Sequence, residues 1–159
     1  MRKFEKISFE QYKKDVNDDK KFYDSFALPK RSTKTSAGYD FVSLFDFVLM
    51  PGEIKKIPTG IKVSMGEDEV LFILVRSSMG FKYNIRMTNQ VGVIDHDYYN
   101  NIDNEGHIYI KIQNEGNIPF EAKRGDHIAQ GIFTKYLTVD DEEEIKKIRT
   151  GGIGSTNEE

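Results

Sequence analysis

The sequence predicts an all-β protein with a jelly-roll-like barrel, a short N-terminal helix and a flexible C-terminal arm. Short apolar or alternating runs alternate with turn residues from residue 37 to residue 134, which is typical of a sandwich or jelly-roll barrel. A chain of 159 residues, 38% apolar, suits one domain. We expect an N-terminal extension at residues 1–28, a core at residues 29–137, and a spacer with a Gly-rich arm at residues 138–159.

Composition excludes several classes of function. The net charge of −3 argues against a general nucleic-acid surface. The absence of cysteine excludes disulfides, thiolate metal sites and thiol catalysis. The three histidines lie in different segments, so no zinc site is expected. The N-terminus has no apolar h-region, and no run has the length of a membrane span. We therefore expect a soluble cytoplasmic protein.

The elements follow from local pattern. Ser8 followed by Gln11 fits a capping box, so a short amphipathic helix is predicted at about Phe9–Val16. Thr138–Lys147 is interpreted as a solvated spacer. The predicted strands lie at Asp40–Leu44, Phe47–Met50, Ile54–Val63, Val70–Val75, Asn84–Met87, Ile108–Ile112 and Ile128–Phe133.

Val91–Asn101 is the stretch with the strongest indication of chemistry. Asp95 and Asp97 follow an apolar run and precede two tyrosines. A carboxylate that ends a strand inside a hairpin, with an aromatic residue three positions on, suits a small-molecule site in which one acid activates water. The alternative is a hairpin with acidic turn residues.

Arg76-Ser77-Ser78 follows the most apolar run of the chain. One guanidinium, two hydroxyls and the amides of a tight turn favour a phosphate-binding turn. An ordinary polar loop is the alternative for these three residues alone.

Five stretches together resemble, in order, the motifs of trimeric dUTP diphosphatases (dUTPases) of bacterial or phage type. They are AGYDF at Ala37–Phe41, RSSMG at Arg76–Gly80, VGVIDHDYYNN at Val91–Asn101, GDHIAQGIF at Gly125–Phe133 and RTGGIGST at Arg149–Thr156. The resemblance covers about Pro29 to Asn157. It implies a homotrimer that hydrolyses dUTP to dUMP and pyrophosphate, with Mg²⁺ held mainly by substrate phosphates and water, and an arm that closes over the site of another subunit.

The resemblance also implies roles for individual residues. Asp95 would activate the attacking water, Tyr98 would stack beneath deoxyribose, and Arg149 would reach the γ-phosphate. No residue is implied as a metal ligand. The implied substrate contacts are Arg76, Ser77, Ser78, Asn89, Gly92, Val93, Ile94, Tyr98, Gln130, Arg149, Gly152, Ile153, Gly154 and Ser155, with Asp40 and Asp126 as supporting residues.

Four positions depart from the family pattern. His127 lies where arginine is common, Val75 where proline is usual, and Ile153 where a phenylalanine usually stacks on uracil. The Asn100–Glu105 turn is longer than usual, and we expect this insertion to be tolerated because hairpin loops accept extra residues cheaply.

Two other functions stay open. A dCTP deaminase would share the fold and an RSS-like motif, but it needs a catalytic glutamate in a different third motif. A regulatory binding protein could use the nucleotide as an effector, with an unknown protein partner. No direct binding to nucleic acid or to a membrane is expected of this chain.

Overall fold

Twelve strands, three short α-helices and two 3-10 helices (His96–Tyr98 and Ser155–Asn157) make up the computed structural model, which describes residues 1–157. The strands are β1 (Lys3–Lys6), β2 (Lys30–Arg31), β3 (Tyr39–Val42), β4 (Phe47–Leu49), β5 (Ile54–Pro58), β6 (Ile61–Ser64), β7 (Glu69–Leu74), β8 (Ile85–Met87), β9 (Gly92–Asp95), β10 (Tyr109–Asn114), β11 (Phe120–Ala122) and β12 (His127–Lys135). The helices are α1 (Phe9–Asp15), α2 (Lys20–Ser25) and α3 (Ser77–Tyr83). The predicted all-β class is confirmed. No helix in this part of the chain is long and apolar enough to cross a membrane.

The strands form four antiparallel sheets around one core. The largest has the order β2-β3-β12-β7-β9, a second has the order β5-β10-β8, and β11-β4 and β1-β6 form pairs. Each sheet contributes buried side chains to the same apolar cluster, for example Leu71 from β7, Ile110 from β10, Leu49 from β4 and Ile61 from β6. The core therefore lies between the sheets, and β1 makes the N-terminal segment part of it.

Helix α1 confirms the predicted N-terminal helix, with one difference in its cap. The Ser8 hydroxyl accepts a hydrogen bond from the Gln11 amide at 3.2 Å. The Ser8 amide donates to Glu105 at 2.9 Å, so a residue distant in sequence completes the cap in place of Gln11. Tyr12 on the inner face of the helix is fully buried, which attaches the helix to the core.

Three local predictions were wrong. The stretch Val91–Asn101 is not a β-hairpin, because β9 pairs with β7 and is followed by a 3-10 helix at His96–Tyr98; the name hairpin is kept for this stretch below. The run Ile54–Val63 is not one strand, because Gly60 adopts φ +71° and separates β5 from β6. Only glycine adopts this left-handed conformation without strain. Residues 76–78 do not form a turn, since Arg76 caps α3 and Ser77 begins it. The pattern also missed α2, whose first turn is capped by the Asp19 carboxylate through the Phe22 amide at 2.9 Å.

A buried histidine connects α1 to the barrel. His107 is fully buried. Its Nε2 accepts a hydrogen bond from the Gly60 amide at 2.8 Å, so its Nδ1 carries the proton and donates to the Asp15 carboxylate at 2.7 Å. Burial lowers the pKa of His107, although the carboxylate of Asp15 opposes this shift. The imidazole is therefore neutral in the folded protein near pH 7.

We expect the free energy of unfolding to fall as the pH drops below the ordinary histidine pKa of 6.5. The pKa of His107 is lower in the folded chain than in the unfolded chain, so the unfolded chain takes up the extra proton. The stabilisation is fully present above the unfolded pKa and is lost as pH falls towards the folded pKa. Urea unfolding between about pH 8 and about pH 5 measures this slope.

His107→Asn keeps a donor for Asp15 but cannot titrate, so its slope over this range should be smaller. Equal slopes for the wild type and His107→Asn would show that another group is responsible.

Candidate active site

A cavity of about 270 Å³, the hairpin pocket, lies between β9, β10 and the C-terminal arm (residues 149–157). Its lining from the barrel is Asn89, Gly92, Val93, Ile94, Asp95, Tyr98 and Tyr109, and its lining from the arm is Arg149, Ile153, Gly154 and Thr156. The Asp95 side chain is about half exposed, so it can reach a bound molecule and water. The structure thus brings most of the predicted nucleoside contacts together.

Gly92 has a packing role that the sequence did not indicate. A Cβ at this position would lie 3.1 Å from the Cβ of Ile73 on the neighbouring strand. The resemblance implies Gly92 as a substrate contact, and Gly92 lines the hairpin pocket; its close approach in the structure is between β9 and β7.

Arg149 joins the arm to the two acids of the hairpin. Its Nε donates to Asp97 at 2.8 Å, and its Nη2 donates to Asp95 at 3.0 Å. The guanidinium carbon lies 5.7 Å from the centre of the Tyr98 ring, and the side chain is only 11% exposed. In this arrangement, the arm contacts the hairpin of its own chain, whereas the resemblance implies an arm that closes over the site of another subunit. The cation that the resemblance places on a phosphate is paired with carboxylates.

Tyr98 forms a fixed wall of the hairpin pocket. Its hydroxyl donates to the His107 carbonyl at 2.8 Å and accepts from Asn104 at 3.0 Å. Burial raises the pKa of Tyr98, opposed by the hydrogen bond from Asn104 and by the charge of Arg149. The phenol therefore stays protonated, and its ring is held at a constant orientation.

A second cavity, the strand-end pocket, lies where β3, β7 and β12 meet the start of α3. It has a volume of about 460 Å³, and its lining is Ser32, Ser36, Ala37, Gly38, Asp40, Arg76, Ser77, Ser78, Gln130 and Ile132. Every predicted phosphate contact of the second and fourth motifs lies here. The first amides of a helix have no partner within the helix, so the amides and hydroxyls of Ser77 and Ser78, which line this pocket, are available as donors.

Asp40 holds the arginine of the strand-end pocket. The carboxylate is 7% exposed, forms an ion pair with Arg76 Nε at 3.0 Å and accepts a hydrogen bond from the Ser32 hydroxyl. His127 Nδ1 lies 3.6 Å from the same carboxylate. No residue among 1–157 bonds the two Nη atoms of Arg76, which leaves them for an anion.

The two pockets lie at opposite ends of β7. Asp95 is opposite Val70, near the start of the strand, and Arg76 follows Val70 by six residues. Extended chain rises about 3.3 Å per residue, so Asp95 and Arg76 are roughly 20 Å apart. Gln130 lies opposite Leu74, which places it at the far end with Arg76. One small molecule therefore cannot contact both pockets of the same chain through its phosphates.

Comparison with known sequences places the chain in a family. The dUTPase family model matches residues 24–157. The deoxyuridine 5'-triphosphate nucleotidohydrolase of Lactococcus lactis is 47% identical over 130 residues, which are 81% of this chain and 87% of that protein. The enzyme of the same name from Haemophilus influenzae is 34% identical over 149 residues, which are 89% of this chain and 94% of that protein. The chain belongs to the dUTPase family.

Solved structures agree with this assignment. The crystal structure of dUTPase from Streptococcus mutans is similar with a TM-score of 0.69 and 36% identity, and the match covers 86% of this chain and 98% of that chain. A mutant dUTPase from phage phi11 of S. aureus matches with a TM-score of 0.66 and 21% identity, over 92% of this chain and 97% of that chain. The second likeness shows the fold alone.

Some predicted site residues lie elsewhere, and some site residues were missed. Asp126 closes a turn, accepting from the Lys123 amide at 2.8 Å, beside the strand-end pocket. Ser155 has a buried hydroxyl without a partner among residues 1–157, and Gly152 is buried beside Asp103. Tyr109 was missed because it lies on β10, distant in sequence from the hairpin that it faces.

Proposed function

We propose that this chain hydrolyses dUTP to dUMP and pyrophosphate, with Asp95 as the base that activates the attacking water. The observation that supports this most directly is the position of Asp95, at the mouth of the hairpin pocket with its carboxylate half exposed. A carboxylate in this position can accept a proton from water and direct the oxygen at the α-phosphorus. The relatives that share 34–47% identity with the chain are named as nucleotidohydrolases of deoxyuridine triphosphate.

The hairpin pocket would take the nucleoside. The amide of Asn89 can both donate and accept, which matches a ring with a carbonyl and an N–H. The backbone of Val93 and Ile94 lies along the same wall. Tyr98 would lie against the sugar, where its rigid ring leaves no space for a 2′-hydroxyl. Ile153 of the arm, 75% exposed, would cover the base by apolar contact.

The strand-end pocket would take the phosphates. Arg76, whose Nε is held by Asp40, would present its two Nη atoms to an oxyanion. The hydroxyls of Ser77 and Ser78 and the amide of Gln130 would add donors. Arg149 would leave Asp95 and Asp97 for a phosphate, since a multiply charged anion competes with two carboxylates for the same guanidinium.

Residues 1–157 include no group of three or more acidic or histidine side chains placed to hold a metal ion. A Mg²⁺ ion would therefore be held mainly by triphosphate oxygens and water, as this hard cation prefers. When bound, it would offset the charge of the phosphates. The protein residues would then serve to bind and orient the substrate.

The active site would be assembled between chains. The hairpin pocket and the strand-end pocket of one chain are roughly 20 Å apart, which is farther than the phosphates of one nucleotide seated in the hairpin pocket would reach. The two pockets must therefore come from neighbouring copies that meet at an interface. Closed cyclic symmetry satisfies this requirement for every chain, and among such assemblies we infer the homotrimer that the resemblance implies.

The turnover rate of Asp95→Asn should be lower than that of the wild type by a factor on the order of 10²–10⁴, the usual contribution of a positioned base. The variant should still bind a non-hydrolysable dUTP analogue. Pyrophosphate release from dUTP measures this, with ammonia release from dCTP assayed in parallel to detect a deaminase. Asp97→Asn is the matched control. It removes the other carboxylate that bonds Arg149, and it should cost much less. A turnover rate of Asp95→Asn close to that of the wild type would show that Asp95 is not the base.

Mixed trimers test the site between chains. Asp95→Asn and Arg76→Ala should each be nearly inactive alone. In a one-to-one mixture refolded together, about a quarter of the sites should combine an intact Asp95 with an intact Arg76 from the next chain. Pyrophosphate release should rise to about that fraction of the wild-type rate. No rise above the separate variants would show that both residues act within one chain.

Tyr98→Ala should narrow the preference for dUTP over UTP, because the ring is what crowds the 2′ position. The measurement is the ratio of kcat/KM for the two nucleotides, in which any general loss of activity cancels. Tyr98→Phe keeps the ring but loses both hydrogen bonds of the hydroxyl, so it should keep the preference. An unchanged ratio in Tyr98→Ala would place sugar discrimination elsewhere.

A further inference from the structure

The 100–105 loop (Asn100–Glu105) is the lengthened turn that follows the tyrosines of the hairpin, and it is ordered by its own amide groups. Asn101 is 8% exposed. Its Nδ2 donates to the Tyr98 carbonyl and to the Asn104 side chain, both at 2.8 Å. Asn104 donates in turn to the Tyr98 hydroxyl at 3.0 Å. A loop with buried, mutually bonded amides keeps one conformation, so it can serve as a binding surface.

The base of the 100–105 loop is attached to the barrel. Lys62 on β6 donates to Asn100 at 2.8 Å and to Glu105 at 3.3 Å. Glu105 also accepts from the Ser8 amide at 2.9 Å. With both ends of the loop fixed in this way, Asp103 at its tip projects from a rigid support.

The tip of the loop contacts the C-terminal arm. The Gly152 amide donates to Asp103 Oδ2 at 2.9 Å. Gly151 and Gly152 are buried here. A Cβ on Gly151 would lie 2.4 Å from Asp103 Oδ2, and one on Gly152 would lie 3.2 Å from the Asn104 side-chain nitrogen. These two glycines therefore let the arm backbone approach the loop, which is a role separate from wrapping a substrate.

We propose that the 100–105 loop is the docking site of the C-terminal arm, and that Asp103 is the positioning residue that holds the arm over the hairpin pocket. Arg149 is bonded to Asp95 and Asp97, and those contacts end when it moves to a phosphate. The bond from Gly152 to Asp103 uses neither acid, so it can persist through that change. The inserted residues of this loop then have a role in the site, because they hold the arm in place. The catalytic consequence rests on the proposed function, whereas the docking contact does not.

Protection of the arm from proteolysis tests the docking contact without any nucleotide. An arginine-specific protease cleaves after Arg149, and mass spectrometry measures the loss of residues 150–159. The protease cleaves only arms that have left the loop. Loss of a hydrogen bond to a charged acceptor should shift the equilibrium between docked and released arm by about tenfold. Asp103→Ala should therefore be cleaved about tenfold faster than the wild type. Asp103→Asn, whose amide oxygen can still accept from Gly152, should recover most of the protection.

Two controls separate docking from other effects. Asp140→Ala removes an equal charge from the exposed spacer and should leave the cleavage rate unchanged. Gly151→Ala leaves the loop intact but places a methyl group against Asp103, so it should also accelerate cleavage. Because this substitution lies close to the cleavage site, its cleavage rate is divided by that of a peptide of residues 145–159 with the same substitution. Wild-type protection in both Asp103→Ala and Gly151→Ala would overturn the proposal.

Activity provides a second test of the role of Asp103. In the full chain, Asp103→Ala should lower kcat/KM for dUTP towards the value of a chain that ends before Arg149. In that truncated chain, Asp103→Ala should have no further effect, because the two changes remove the same interaction. An equal loss in both backgrounds would show that Asp103 acts on the barrel and not through the arm. Absence of dUTP hydrolysis by the wild type would refute the proposed function alone, since protection is measured separately.

Discussion

The pairing of β7 with β12 on one side and β9 on the other is the constraint on which the rest of the structure depends. The register with β9 places Asp95 opposite Val70, at the start of the strand. The register with β12 places Gln130 opposite Leu74, beside the end that continues into Arg76. A slip of one residue would move every side chain of β7 to the other face. The apolar face of β7 therefore also determines where the acid and the cation of the site can lie.

Several residues outside the expected motifs support the hairpin pocket. Asp15 of α1 bonds His107, and the carbonyl of His107 accepts from Tyr98. Glu105 bonds Ser8, which begins the same helix. The N-terminal segment, which the sequence indicates only as an extension packed on the body, thus contributes to the position of Tyr98 and of the 100–105 loop. β9 is the edge strand of its sheet, so the segment that follows it depends on these contacts for its position.

Local pattern predicted the elements well where one physical cause dominates. The Ser8 cap and the apolar stripe of α1 act within a few residues, and alternation located most strands to within one or two residues. It failed where the cause was distant or subtle. Gly60 divided a continuous apolar run by adopting positive φ, and Ser77 began a helix that a turn-like sequence did not indicate. The short strand β11 (Phe120–Ala122) was missed because it depends on pairing with β4.

The sequence by itself determined the family, the all-β class and the identity of the candidate acid, because motif order and strand alternation are properties of the chain alone. Only the tertiary structure decided how these residues are grouped. It separated Asp95 from Arg76 along β7, and this separation is the physical reason for proposing a site between chains. It also brought Asp103 to Gly152, a contact between residues 49 positions apart that no local pattern encodes. Contacts of this kind depend on how loops are supported in three dimensions, so the structure alone reveals them.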